Sequence, residues 1–296
     1  MHIIRRGVAF PIAVVILLVG VTLWFVDVMA RPGSSGPVGL SRHGATTAYT
    51  FVDDPNGEIR VGGAREQRPR PTASTAKLIT ALTVLERRPL APGEDGPVLT
   101  MTGADTDLYS SYAGRGGSAV AVGDGQELSE YEMLVGMLLP SANNLADSLA
   151  VWAFGSLSEY RTAANELVRA LGMTSTTVGT DASGFSPTTT STARDLTLLA
   201  AAAVRNPVIA EIVAQEEAVL SGVGVVRNTN RLLGRQGVVG LKTGTTGEAG
   251  GVFLFAARVG VPGRLVVGAV QGEGRSADDA IDRASRLLDE IGGTES

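Results

Sequence analysis

Segments that read as β-strands stand at both ends of the folded part of this chain, and the stretch between them reads as helix. Near the start, Ala48–Val52 and Ile59–Val61 flank Asp54-Pro-Asn-Gly57. An Asn-Gly pair between two β-favouring runs signals a hairpin, because the tight turn needs residues that tolerate positive φ. Near the end, Val238–Leu241, Gly251–Ala257 and Leu265–Val270 are apolar runs of strand length. This order predicts one sheet assembled from the two ends of the body, with a helical lobe inserted in the middle. The fold class is therefore α/β in the α+β sense.

Several helix boundaries are legible within the lobe. Pro69, Pro71 and Thr72 close the first strand region. Ala76, Ile79, Ala81, Leu82 and Leu85 follow, too apolar all round for a surface helix, so they predict a central buried one. Residues 100–125 are rich in Gly, Asp and Ser and read as loop. Ser129–Leu139 begins with Ser129 and carries Glu132 three residues on, a capping box. Pro140-Ser141 breaks that helix and Asn143–Phe154 starts the next. Glu159–Leu171 ends at Gly172, a C-cap, and Thr192–Val204 is stopped by Asn206-Pro207. Ser276–Ile291 closes the chain as an amphipathic helix. No internal repeat is present.

Ahead of the body, Val8–Val26 carries no charge and follows Arg5 and Arg6. Such a run spans roughly 28 Å as helix, close to the hydrocarbon thickness of a bilayer at about 30 Å. A buried soluble helix is the alternative, and the basic flank at the extreme N-terminus argues against it. The two arginines are expected to stay in the cytoplasm and send the rest of the chain outward. Residues 1–30 thus read as a single-pass anchor, or as a secretion signal cut after Ala30, since Val28-Met29-Ala30 has the offsets of a signal-peptidase site. Residues 31–44 read as a flexible linker and 45–296 as the folded domain.

Composition removes several chemistries. The chain has no cysteine, and its only histidines are His2 and His43, before the body. A thiol nucleophile, a cysteine zinc site and a Ser-His-Asp triad in the body are therefore excluded. The net charge of −5, with no basic block in the body, gives no footing for nucleic acid. No metal or organic cofactor is expected. A hydrolytic serine here would need a lysine or a carboxylate as its base.

Only 2 of the 25 basic residues are lysines, Lys77 and Lys242, and each lies in a short motif. Arginine supplies charge but does not give up its proton near neutral pH, whereas lysine can. In Ser74-Thr-Ala-Lys77 the spacing at a helix start puts amine and hydroxyl on one face, beside the backbone N–H groups of the helix N-terminus. Ser141-Ala-Asn143 sets a hydroxyl and an amide at a helix break. Lys242-Thr243-Gly244-Thr245 offers a cation and a hydroxyl on a predicted strand, with Gly244 allowing close approach to the backbone. Taken singly, each has a plain structural reading: a capping serine with a snorkelling lysine, an N-cap followed by helix-start asparagines, and a strand ending in a glycine-rich turn.

The order Ser-x-x-Lys, Ser-x-Asn, Lys-Thr-Gly, at separations of roughly 65 and 100 residues, is the set found in penicillin-binding proteins and class A β-lactamases. The chain resembles the D-alanyl-D-alanine carboxypeptidases, low-molecular-mass penicillin-binding proteins of serine peptidase family S11. The likeness extends to Arg70-Pro-Thr-Ala-Ser-Thr-Ala-Lys77, Leu138-Leu-Pro-Ser-Ala-Asn143, Leu171-Gly-Met173, Asp181-Ala-Ser-Gly-Phe185, Thr192-Ala-Arg-Asp195, Asn228-Thr-Asn-Arg-Leu-Leu233 and Gly240-Leu-Lys-Thr-Gly244. It covers nearly everything from Thr47 to Leu288.

The resemblance implies a penicillin-binding/β-lactamase-like fold, with an antiparallel sheet packed by helices beside a helical lobe. It implies Ser74 as the acylated nucleophile and Lys77 as its base. Ser141 and Asn143 would relay protons and hold the substrate amide. Lys242, Thr243, Gly244 and Thr245 would bind the carboxylate region of a peptidoglycan stem peptide ending in D-Ala-D-Ala. The N–H groups of Ser74 and Thr245 would form the oxyanion hole, and β-lactams would acylate the same serine.

Two features depart from the family. Many members carry a C-terminal β-rich domain and membrane-binding tail, whereas this sequence stops after its last helix, so anchoring is expected from the N-terminal segment. Thr245-Thr246 after Lys-Thr-Gly is a β-lactamase-like pair, yet no Glu-x-x-Leu-Asn segment is present to supply a deacylating glutamate. The expectation is an exported D-Ala-D-Ala carboxypeptidase. A β-lactamase and a D,D-endopeptidase are its enzymatic rivals, and a non-catalytic stem-peptide or β-lactam receptor is the rival from another class.

Overall fold

The computed structural model describes residues 45–294, apart from 55, 64–66 and 262. The anchor or signal and the linker expected from the sequence lie outside the described residues. Among the described residues no single helix is long and apolar enough to cross a membrane.

The chain enters through a hairpin of β1 (Thr46–Phe51) and β2 (Arg60–Gly63), as the Asn-Gly turn predicts. Gly57 takes the positive φ, and Asn56 N–H donates to the Asp54 carboxylate at 2.9 Å. A short strand β3 (Arg70–Pro71) leads into a 3-10 turn at Ala73–Ala76 and the buried helix α1 (Lys77–Arg87). The lobe then runs through β4 (Val98–Thr100), α2 (Gly103–Gly114), β5 (Glu127–Ser129), α3 (Glu130–Leu138), α4 (Asn143–Phe154) and α5 (Leu157–Ala170). It closes with β6 (Thr190–Ser191), α6 (Ala193–Arg205), α7 (Pro207–Val213) and the hairpin β7 (Glu217–Leu220) and β8 (Gly224–Arg227). The last strands are β9 (Val238–Thr246), β10 (Gly250–Val259) and β11 (Arg264–Glu273), followed by helix α8 (Ala277–Thr294).

The main sheet has the order β2-β1-β11-β10-β9 and is antiparallel throughout. The N-terminal strand pairs with the last one, Ala48 opposite Ala269, which closes the sheet from both ends of the body as expected. Strand β10 reads as a continuous apolar run because both of its faces are covered. Val252, Leu254 and Ala256 face the helical lobe, while Phe253, Phe255 and Ala257 alternate onto the face packed by Ile281 and Leu288 of α8.

Three local expectations are corrected. Residues 103–114, read as loop, form α2. Its capping box, Thr102 with Asp105, supplies the start, but only Tyr112 of the helix is buried, so no apolar stripe advertised it. Asn206-Pro207 ends α6 but also begins α7, with the Asn206 side-chain Oδ1 accepting from the N–H groups of Val208 and Ile209, both at 3.1 Å. The β7–β8 hairpin went unread because the exposed Val219 and Val225 sit beside the buried Leu220 and Val226, which hides the alternation of its core face.

Candidate active site

Ser74 lies in the 3-10 turn and Lys77 is the first residue of α1. Three residues per turn place positions i and i+3 directly above one another, so the 3-10 geometry aligns hydroxyl and amine more closely than an α-helix would. Ala73, just before the serine, is held at φ +47°, a left-handed conformation that a side chain disfavours. Ser141 shares this trait at φ +67°. Two non-glycine residues in the left-handed region, one beside Ser74 and one in the second motif, are the backbone strain that functional sites concentrate.

Lys77 Nζ is fully buried and has three polar neighbours: Ser74 Oγ at 2.9 Å, Asn143 Oδ1 at 2.6 Å and the Ser183 carbonyl oxygen at 2.9 Å. Two of these are pure acceptors, while the serine hydroxyl can donate. A neutral amine fits this set: its two N–H groups serve the carbonyl oxygens and its lone pair faces the Ser74 hydroxyl. Burial pushes the Lys77 pKa well below the ordinary lysine value, and the charge of Lys242 pushes it further the same way. Asp181 and Asp147 act in the opposite sense and are outweighed.

Lys242 is also buried and donates to the Thr243 carbonyl oxygen at 3.1 Å. Burial lowers its pKa to about 7. A carboxylate arriving beside it would restore its positive charge, since an opposite charge favours the ionised form. The Thr243 hydroxyl is paired with that of Thr229 at 2.6 Å. The Thr245 hydroxyl faces α8, accepting from Ala277 N–H at 2.7 Å, so this side chain braces the strand. Gly244 touches the 3-10 turn that carries Ser74. A Cβ built there would lie 2.9 Å from Ser74 N and 3.0 Å from Ala73 Cβ. Only glycine lets β9 pass this close to the Ser74 N–H.

Ser141 Oγ is buried with no hydrogen-bond partner among the described residues, beside an otherwise satisfied cluster. Asn143 opens α4, its N–H bonded to the Ser118 carbonyl oxygen at 2.8 Å. Ser74, Lys77 and Asn143 are thus joined by direct hydrogen bonds, Gly244 abuts them, and Lys242 acts on Lys77 through its charge.

Some contributors went unread in the sequence. The Ser183 carbonyl is aimed at Lys77 by a loop wound around Asp181, whose carboxylate accepts from the N–H groups of Ser183, Gly184 and Ser186 at 2.8, 2.6 and 2.8 Å. Gly184 is packed so closely that a Cβ would lie 2.1 Å from the Ala73 carbonyl oxygen. Asp147 is buried and accepts from Tyr112 Oη at 2.5 Å and Ala182 N–H at 2.8 Å, linking α2, α4 and this loop. Burial raises its pKa to about 6. Its spacing, four residues after Asn143, put it on the site face of α4 and was the available signal. A backbone carbonyl such as that of Ser183 leaves no such mark.

Comparison with known proteins agrees with this geometry. The family model for D-alanyl-D-alanine carboxypeptidase matches residues 40–270. A D-alanyl-D-alanine carboxypeptidase of Mycobacterium tuberculosis is 30% identical over 273 residues, covering 90% of this chain and 87% of that protein. A D-alanyl-D-alanine endopeptidase of Escherichia coli is 32% identical over 188 residues, which cover 61% of this chain and 57% of the relative. The crystal structure of a D-alanyl-D-alanine carboxypeptidase from M. tuberculosis superposes with a TM-score of 0.69 at 30% identity, covering 89% and 95% of the two chains. The Streptomyces K15 DD-transpeptidase shares the fold, with a TM-score of 0.71 at 23% identity and coverage of 84% and 96%. With the family match spanning most of its length, this chain belongs to the D-alanyl-D-alanine carboxypeptidase family, peptidase family S11.

Proposed function

We propose that the chain is a serine D-Ala-D-Ala carboxypeptidase that trims peptidoglycan stem peptides through an acyl-enzyme on Ser74, and that β-lactams acylate the same residue. The observation that carries this reading is the buried Lys77 amine, satisfied by two carbonyl acceptors and set 2.9 Å from Ser74 Oγ. Ser74 Oγ attacks the carbonyl carbon of the D-Ala–D-Ala amide, and its proton passes to the neutral Lys77 amine. The carbonyl oxygen becomes an oxyanion held by the N–H groups of Ser74 and Thr245. As the amide C–N bond breaks, the leaving D-alanine nitrogen takes a proton from Lys77 by way of Ser141, whose hydroxyl has no competing partner among the described residues. Asn143 holds the substrate amide, and Lys242 with Thr243 receives the terminal carboxylate. Water then attacks the ester, giving its proton back through Lys77, and Ser74 is released.

Release of D-alanine from a peptide ending in D-Ala-D-Ala tests the reading, with Ser74→Ala as its control. The account predicts release by the native chain and none by the variant. Penicillin binding without peptide turnover would replace it by the receptor, and rapid penicillin turnover by the β-lactamase. We further propose that the body lies outside the cytoplasmic membrane, a reading supported by Arg5, Arg6 and the uncharged Val8–Val26. We assign residues 1–30 to an anchor or signal and 31–44 to a linker on the same grounds. Protease added to intact spheroplasts should digest the body, and full protection would contradict that placement.

A further inference from the structure

Lys77 takes one of its two carbonyl acceptors, the Ser183 oxygen, from a loop rather than from a helix. A loop carbonyl keeps its place only if the peptide planes around it are tied down. In the plane that carries the Ser183 oxygen, the Gly184 N–H donates to the Asp181 carboxylate at 2.6 Å. In the plane before it, the Ser183 N–H donates to the same carboxylate at 2.8 Å, and the Ala182 carbonyl oxygen accepts from Thr80 Oγ1 at 2.5 Å. The Asp181 contacts tie the loop to itself, and Asp147 ties the Ala182 N–H to α4. Thr80 ties the loop to α1, the helix on which Lys77 stands.

Thr80 lies three residues after Lys77, on the same face of α1, and is fully buried. Its hydroxyl oxygen is also 2.8 Å from Tyr160 Oη of α5. The Ala182 carbonyl can only accept, so the single Thr80 hydrogen goes there and Tyr160 donates to Thr80. The competing acceptor in its own helix, the Ala76 carbonyl oxygen, is farther away at 3.5 Å. Tyr160 is itself buried, and burial raises its pKa, which keeps the donated proton on the ring oxygen. A hydrogen-bonded line thus runs from α5 through α1 into the loop. Neither hydroxyl bonds the Lys77 amine, so an effect on that amine must pass through Ser183. Thr83, a turn further along α1, makes the contrast. It is equally buried, but its hydroxyl donates only to the Ile79 carbonyl oxygen of its own helix, at 2.7 Å.

We infer that Thr80, backed by Tyr160, is a positioning residue for the base: it locks the loop to α1 so that the Ser183 carbonyl stays on the Lys77 amine. The inference rests on the acyl-enzyme reading and adds to it what aims the lone pair. With Asn143 Oδ1 and the Ser183 oxygen each holding one N–H, the lone pair faces the Ser74 hydroxyl. Once the Ser183 carbonyl drifts, the amine is free to turn and present a hydrogen to that hydroxyl instead. Proton transfer then slows, while capture of the ligand by Lys242 and Thr243 is left alone.

Thr80→Val keeps the side-chain shape and removes the hydroxyl; Thr80→Ser restores it. Stopped-flow acylation by a chromogenic β-lactam, over a range of concentrations, separates the half-saturating concentration from the limiting rate. Thr80→Val should lower the limiting rate by about tenfold or more, with half-saturation within about threefold of native. Thr80→Ser should return the rate to within about threefold of native, and Thr83→Val should never leave that range. A merely structural role predicts that both valine variants fall alike. That result, a limiting rate in Thr80→Val within about threefold of native, or a fall that Thr80→Ser does not recover, overturns the inference. Should Thr80→Val fail to fold, Tyr160→Phe decides: it should slow acylation by about threefold, and an unchanged rate overturns the role of the pair. Absence of acylation in the native chain overturns the acyl-enzyme reading instead.

Discussion

Replacing Gly244 by alanine places a methyl group where β9 meets the turn that carries Ser74. The added carbon would sit 2.9 Å from Ser74 N, 3.0 Å from Ala73 Cβ and 3.2 Å from Thr75 N. Two of these atoms are backbone, so no side chain can swing aside to relieve the contact. Overpacking of this kind costs about 1–3 kcal/mol. In a body of this size that lowers Tm by roughly 2–12 °C. The catalytic loss should be larger than the stability loss, because strand and turn must separate at the N–H proposed to receive the oxyanion. Loss of one such donor slows acylation by about 10²–10³-fold. Gly247 is an internal control: a Cβ there meets nothing within 4 Å, so Gly247→Ala should melt like the native chain. Stopped-flow acylation by a chromogenic β-lactam, beside thermal melts, reads both effects. Acylation by Gly244→Ala within about threefold of native, with an unchanged Tm, would refute the contact argument.

Lys242 titrates near 7 when folded but at the ordinary lysine value when unfolded. Between those pH values the unfolded chain holds a proton that the folded one lacks, so stability rises with pH, by at most about 4–5 kcal/mol for this group. Urea unfolding at pH 7 and pH 10 should show a smaller gain for Lys242→Met than for the native chain, and equal gains would contradict it. Asp147 carries a charge that favours protonated Lys77, so Asp147→Asn should move the acid limb of the acylation profile to lower pH. A limb that stays put or moves upward would remove Asp147 from the electrostatics of the base.

The sheet and most of the helices were legible because burial on known faces leaves a period in the sequence. Strand β10 shows it as a continuous apolar run, and α3 as a capping box followed by apolar residues. Helix α2 was not legible, since it buries only Tyr112 and its glycines and aspartates look like loop. The candidate site side chains were visible because their types stand out: two lysines among 25 basic residues mark their own positions. What fixes those side chains was hidden. The Ser183 carbonyl is a backbone atom, and the Asp181 loop that aims it is built from backbone N–H donors. The requirement for Gly244 was anticipated as close approach to substrate, but its tightest contact is with the chain's own Ser74 N–H. Long-range packing of this kind, between residues 170 apart in sequence, has no local signature.

The central claim is that a neutral Lys77 takes the proton of Ser74. Single-turnover acylation of Ser74, followed by intact mass across pH in the native chain and in Lys77→Arg, tests it most directly. Arginine keeps the positive charge and much of the length but cannot accept a proton near neutral pH. The account predicts a native rate that rises as Lys77 loses its proton, well below the ordinary lysine range, and an acylation rate in Lys77→Arg lowered by about 10²-fold or more while the variant remains folded. Near-native acylation by folded Lys77→Arg would contradict the claim and transfer the base to another group.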